Sequence, residues 1–164
     1  MLGRNAEAET HLNHSNALLP TAPGFYLLGQ IAEEKGDMAG ALKNYQIASD
    51  SNTDVGQSAM ASLMRLDLPR NPAKYLESGA LSDNSGNLYA VVQNPTSTAV
   101  SNVHIRVVRY DPATNRAVSQ SQPVLVASLL EPNQRAQVKV GVRVANQAEL
   151  NLYRVNIESA ELAR

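Results

Sequence analysis

Residues 24–50 read GFYLLGQIAEEKGDMAGALKNYQIASD, and the reading of this stretch decides the fold of the N-terminal half. Large and small apolar residues recur at Phe25, Leu28, Gly29 and Ala32, and again at Ala41, Tyr45 and Ala48. Steps of three and four residues put each set on one face of a helix. Gly36-Asp37 separates the two sets. Glycine supplies the left-handed dihedrals of a tight turn, and the Asp carboxylate can cap the helix that follows. Gly29 and Ala41 carry little or no side chain, so the two helices can pack closely as an antiparallel pair.

The offsets across Ala22–Val55 resemble the tetratricopeptide repeat, with Thr53 where the family usually has Pro and Ala32 where it usually has a larger residue. The text upstream repeats the second half of that pattern. Ala41, Tyr45, Ala48 and Thr53 have counterparts in Ala8, Leu12, Ser15 and Pro20, separated by the same steps. Residues 4–19 therefore read as the second helix of a preceding repeat, packing through Ala8, Leu12 and Ser15. The opening MLGRNAEAET lacks the apolar core of a secretory signal and reads like the interior of a helix. A helix without its partner is expected of a piece taken from a longer array, since such units bury their apolar faces only against neighbours. Downstream, Thr53 or Asp54 can cap a closing helix, roughly residues 55–66, with Ala59, Leu63 and Leu66 on one stripe. Pro69 disfavours helical geometry in Leu68 and ends it.

Composition changes at Pro69, and Arg70–Lys74 reads as the junction between a helical region, residues 1–69, and a β region, residues 70–164. Val-rich runs of about five to nine residues now alternate with Asp, Asn, Gly and Pro clusters. Five or six strands are expected: Tyr75–Leu81, Leu88–Gln93, a strand through Val103, Ile105 and Val107, Ala117–Leu130, a strand from Ala136 to Val144, and Leu150–Ala160. The alternation slips at Val107-Val108, as at a bulge. Pro123 favours an edge position. Ala136, Val138, Val140 and Val142 alternate with Gln137, Lys139 and Arg143, one face inward and one wet. The expected class is α+β with segregated parts: a tetratricopeptide-repeat-like α-hairpin array, then a small antiparallel β-sandwich of immunoglobulin-like type or a small open barrel.

Net charge over the 164 residues is −1, with 14 scattered cations and no basic run, which argues against a nucleic-acid partner. No stretch approaches the roughly 18 apolar residues of a membrane span. Cysteine is absent, which removes disulfides, thiolate metal sites and thiol catalysis.

Glu7, His11 and His14 can share a face of the first helix at a spacing compatible with zinc. No Glu follows the first His, so the H-E-x-x-H arrangement is missing. An ordinary polar helix face is the reading preferred. His104 alternates outward from Val103 and Ile105, as a solvated strand residue does. Glu33-Glu34 and the pair Glu158 and Glu161 are the paired carboxylates. Adjacent helix residues diverge, and carboxylates on a terminal strand keep an edge soluble. No G-x-S-x-G elbow, G-x-G-x-x-G loop or Walker A sequence occurs. No catalytic residue, metal or cofactor is assigned.

A recognition surface fits better. The repeat resemblance implies that the first helix of the repeat lines a groove for extended peptides, at Tyr26, Gln30, Glu33 and Glu34. These residues sit off the Phe25-Leu28-Gly29-Ala32 packing face and suit a polar or basic segment.

Leu18-Leu19-Pro20-Thr21-Ala22-Pro23, the repeat, Leu66-Asp67-Leu68-Pro69-Arg70-Asn71-Pro72 and Tyr75-Leu76 are together similar to the C-terminal tail of certain periplasmic zinc metallopeptidases. Those enzymes carry tetratricopeptide repeats and are related to the protease that assists outer-membrane β-barrel assembly. Asn94-Pro95, Val103–Tyr110 and Leu130-Glu131-Pro132 are similar to FxLYD-type sandwich domains of bacterial envelope proteins. These resemblances imply a periplasmic, non-catalytic interaction module that binds substrate or partner proteins, the catalytic domain lying elsewhere; the residues themselves leave a cytoplasmic location open. Two other functions stay open: a structural unit that self-associates through the end of the helical array or a β edge, and a metal-dependent enzyme using His11 and His14.

Overall fold

Thr21 sets the start of the second helix. Its hydroxyl accepts a hydrogen bond from the Gly24 amide at 3.2 Å, and Pro23 stands in the first turn, where a missing N–H costs nothing. The structure, a computed structural model, describes residues 2–163, and side chains from residue 5 onward. Four helices come first: α1 (Leu2–Leu18), α2 (Ala22–Glu34), α3 (Met38–Ser49) and α4 (Asp54–Asp67). Gly36 takes a φ of +77° in the turn between α2 and α3, and Asp37 Oδ1 accepts from the Gly40 amide at 2.9 Å. Thr53, rather than Asp54, caps α4, its hydroxyl accepting from the Gly56 amide at 3.2 Å.

The buried face of the hairpin comprises Leu28, Gly29 and Ala32 of α2 with Ala41, Tyr45 and Ala48 of α3. Gly29 permits this contact: a Cβ there would lie 2.6 Å from the Tyr45 ring. α4 packs on α3 and buries Gly56, Ala59 and Leu63, while Leu66 is only half-buried.

The seam between α1 and α2 differs from the expected Ala8-Leu12-Ser15 stripe. Ala8 and Ser15 are exposed, and the packing side runs through Asn5, Glu9, Leu12 and Asn16. Polar side chains make this seam. Asn5 donates to Glu34 at 2.7 Å, Lys35 pairs with Glu9, and Asn16 Oδ1 accepts from the Thr21 amide at 3.3 Å. Hydrophobic periodicity misses the face because three of those four residues are polar.

The chain divides into two compact units between Asp67 and Leu68. In the second unit a single 3-10 turn, Pro72–Lys74, precedes seven strands: β1 (Glu77–Ser82), β2 (Asn87–Gln93), β3 (Val100–Tyr110), β4 (Ala117–Gln120), β5 (Val124–Leu130), β6 (Arg135–Arg143) and β7 (Tyr153–Leu162). A short helix, α5 (Gln147–Leu150), lies between β6 and β7. All pairings are antiparallel. One sheet has the order β1-β2-β6; in the other, β3 pairs β4 and β5 along one edge and β7 along the other. Alternate residues supply the buried core: Leu88, Ala90 and Val92 of β2, Val103, Ile105 and Val107 of β3, and Val155 and Ile157 of β7. The class is thus α+β with segregated parts.

Several strand expectations need correction. The run Ala117–Leu130 is two strands, because Ser121-Gln122-Pro123 interrupts it and proline has no N–H for the ladder. At the break, the Val107 amide donates to Ser121 Oγ at 3.1 Å. The β3 bulge lies at Asn102–His104, where Asn102 takes a φ of 52°, and the ladder from Ile105 to Arg109 is regular through Val107-Val108. The first strand starts at Glu77, after the 3-10 turn, and the last at Tyr153, after α5.

Asn94 is fully buried at the end of β2. Its Nδ2 donates to the carbonyls of Thr98, Leu130 and Glu131, at 2.9 to 3.3 Å, and its Oδ1 accepts from Thr96 N and Oγ1. One side chain therefore ties the β2–β3 connection to the β5–β6 turn.

Candidate functional site

Positions 26, 30 and 33 recur at steps of four and three, so α2 presents them on one side, away from Leu28, Gly29 and Ala32. The structure brings all four sequence-derived residues, Tyr26, Gln30, Glu33 and Glu34, into one groove of about 580 Å³. Three further residues complete it: Tyr45 from α3, and Ser62 and Arg65 from α4.

The groove is organised around Glu33. Arg65 Nη2 donates to both carboxylate oxygens at 2.7 Å, and the Tyr45 hydroxyl donates to Oε2 at 2.9 Å. Partial burial works to raise the Glu33 carboxyl, but hydrogen bonds from Arg65 and Tyr45 and the charge of Arg65 hold it below its ordinary value. Burial, and then the Glu33 carboxylate, push the Tyr45 phenol well above its ordinary value. The Tyr45 ring meets that of Tyr26 with centroids 5.7 Å apart and planes tilted by 45°. Tyr45 therefore works at both ends, its ring against Gly29 and its hydroxyl on the groove wall.

This network alters the expected electrostatics. Of the two carboxylates, Glu33 is neutralised by Arg65, whereas Glu34 receives, among the described residues, only the neutral Asn5 amide. Gln30 is exposed, so its amide is free to meet a peptide backbone. The lining offers aromatic faces, an amide, a hydroxyl, the Glu34 carboxylate and the Arg65 side chain, which is 51% exposed. Sequence reasoning missed Arg65, Ser62 and the Tyr45 hydroxyl. Their one signal is position: Ser62 and Arg65 flank Leu63 on α4, just off its buried stripe.

The remaining candidates are scattered. Glu7, His11 and His14 are exposed on α1, and no group of three or more His, Asp or Glu among the described residues is placed to hold a metal. His104 Nδ1 lies 2.9 Å from the Asn102 carbonyl oxygen and 3.3 Å from Ser159 Oγ. A carbonyl only accepts, so Nδ1 carries the proton and is no base for Ser159. Glu158 pairs with Arg106, and Glu161 accepts from Asn102 at 3.0 Å. No helix among the described residues is long and apolar enough to cross a membrane. Compared with known proteins, the chain matches no family model, no curated protein and no solved structure.

Proposed function

We propose that this chain is a non-catalytic protein–protein interaction module whose helical unit binds an extended peptide segment in the groove over Tyr26, Gln30, Glu33 and Glu34. One observation carries the reading: four residues picked out by the repeat pattern line a single groove, closed by Tyr45, Ser62 and Arg65 from two other helices. Tyrosine rings supply contact area at low entropic cost, and Gln30 and Ser62 can serve a peptide backbone. Glu34 favours a lysine or arginine in the segment. The resemblance of residues 18–23, the repeat and residues 66–76 to the tails of periplasmic zinc metallopeptidases supports a role as their accessory region, recruiting substrates or partners in the envelope. The strand orders β1-β2-β6 and β7-β3-β4/β5 support an immunoglobulin-like reading of the second unit.

The test is selection from a library of extended peptides, then titration of the bound peptide by NMR. Shifts at Tyr26, Gln30 and Tyr45, with affinity lowered about tenfold by Tyr26→Ala and less by Glu34→Gln, are the expected result. A bound peptide that leaves these residues undisturbed overturns the groove reading. Elemental analysis of the dialysed chain, run with a protease assay, tests the alternative. Stoichiometric zinc with cleavage lost in His11→Ala would make the chain an enzyme.

A further inference from the structure

The open side of β6 points to a second binding site, in the β unit. β6 ends its sheet, pairing β2 alone. Asn94 N donates to the Gln134 carbonyl, which fixes the phase of this ladder. Ala136 and Val138 then turn their backbone groups toward β2, and Gln137 and Lys139 turn theirs to the open side. Edge strands with free N–H and C=O groups are templates for an added strand.

The two faces of β6 carry different chemistry. Ala136, Val138, Val140 and Val142 face the core side but are only half-buried. Val140 and Val142 open, with Val107 and Tyr153, into a groove of about 280 Å³ beside the β4 edge at Ser119–Ser121. Arg109 lines the same groove, and its Nε is buried without a hydrogen-bond partner. On the outer face stand Arg135, Lys139 and Arg143, exposed and all of one sign, in register with Gln93, Tyr89 and Asn87 of β2. None of the three has an acidic residue opposite it.

We infer that β6 accepts an extended, acidic segment of another protein as an additional antiparallel strand, with alternate apolar side chains seated over Val140 and Val142 and the intervening Asp or Glu side chains beside Arg135, Lys139 and Arg143. Charge selects this occupant over a second copy of the chain. Two β6 strands paired about a two-fold axis through Lys139 would set Lys139 against Lys139, and like charges directly opposite destabilise a ladder. An acidic strand replaces that repulsion with attraction. The site is independent of the helical groove.

The experiment uses the whole chain and a peptide of alternating valine and glutamate as long as β6, with a valine–lysine peptide as control. Binding is measured at low and high salt and located by amide exchange. Expected are protection of the Gln137 and Lys139 amides, weakening with salt, no binding of the lysine peptide, and an affinity loss of about tenfold in Lys139→Glu. Gln137→Pro removes only an N–H on the open side, so it should abolish binding and keep the β2 ladder. Absence of binding, equal binding of both peptides, or unchanged affinity in Lys139→Glu overturns the inference. So does protection confined to Tyr26 and Tyr45, and so does self-association that protects Gln137. The same titration with Tyr26→Ala should be unchanged, which separates this site from the helical groove.

Discussion

Arg65, in the last turn of α4, places one guanidinium nitrogen 2.7 Å from each carboxylate oxygen of Glu33, near the end of α2. The pair bridges two helices that the Tyr45 ring of α3 stands between. The contact joins the first and third helices of the α2–α4 set across the groove. A double-mutant cycle on Glu33→Ala and Arg65→Ala should give a coupling of about 0.5–1 kcal/mol, measured by denaturant unfolding. The side chains are 26% and 51% exposed, which keeps the value near that of surface pairs.

Acid should weaken the helical unit through the same carboxylate. Glu33 holds its proton less tightly when folded than when unfolded. Its contribution is therefore present above the ordinary carboxylate value of about 4 and disappears as pH falls through the lower folded value. Tyr45 behaves oppositely, holding its proton more tightly when folded. Its contribution is present below the ordinary phenol value of about 10 and erodes as pH rises beyond it. Thermal melts followed by circular dichroism should show both slopes, the acid one flattened in Glu33→Gln and the alkaline one in Tyr45→Phe.

Gly29→Ala should destabilise the helical unit by about 1–3 kcal/mol. The new methyl would stand 2.6 Å from two Tyr45 ring carbons, and that ring is held in place by its hydroxyl on Glu33. Gly36→Ala makes the useful comparison: no atom lies within 4 Å of the new methyl, but the φ of +77° costs about 1 kcal/mol. Urea denaturation of both variants checks the order.

Asn94→Ala should cost the β unit about 3 kcal/mol, because it removes the donor to the Leu130 and Glu131 carbonyls and the acceptor of the Thr96 amide, while Thr96 Oγ1 and the Thr98 carbonyl keep each other. Asn94→Asp should cost as much or more, since a carboxylate cannot donate to those carbonyls. Denaturant unfolding with circular dichroism in the β region measures both.

What was legible in the sequence follows from how local the physics is. Gly36-Asp37 announces its turn because the dihedral and the cap reside in the two residues themselves. Tyr26, Gln30 and Glu33 could be placed on one side of α2 by counting alone. Arg65 could not, since its partner lies on another helix and no spacing rule connects them. The α1 seam escaped because Asn5, Glu9 and Asn16 leave no apolar period to read. Val107-Val108 suggested a bulge through a broken alternation, yet both residues are buried in a regular ladder. The better signs were asparagines: Asn102, Asn115 and Asn133 all take positive φ, which their short polar side chains tolerate.

The polar seam of α1 has a consequence for handling the molecule. Among the described residues Leu12 is the half-buried apolar side chain of this seam, and Asn16 leaves its amide nitrogen buried without a partner, which works against closure. Water competes well for contacts of this kind, so the helix should part from α2 at a small fraction of the free energy needed to unfold the rest. Limited proteolysis would nick the connection around Leu18 and Leu19 first, and salt, by screening Glu9 from Lys35, would hasten the cut. The first helix is in that sense a detachable clasp.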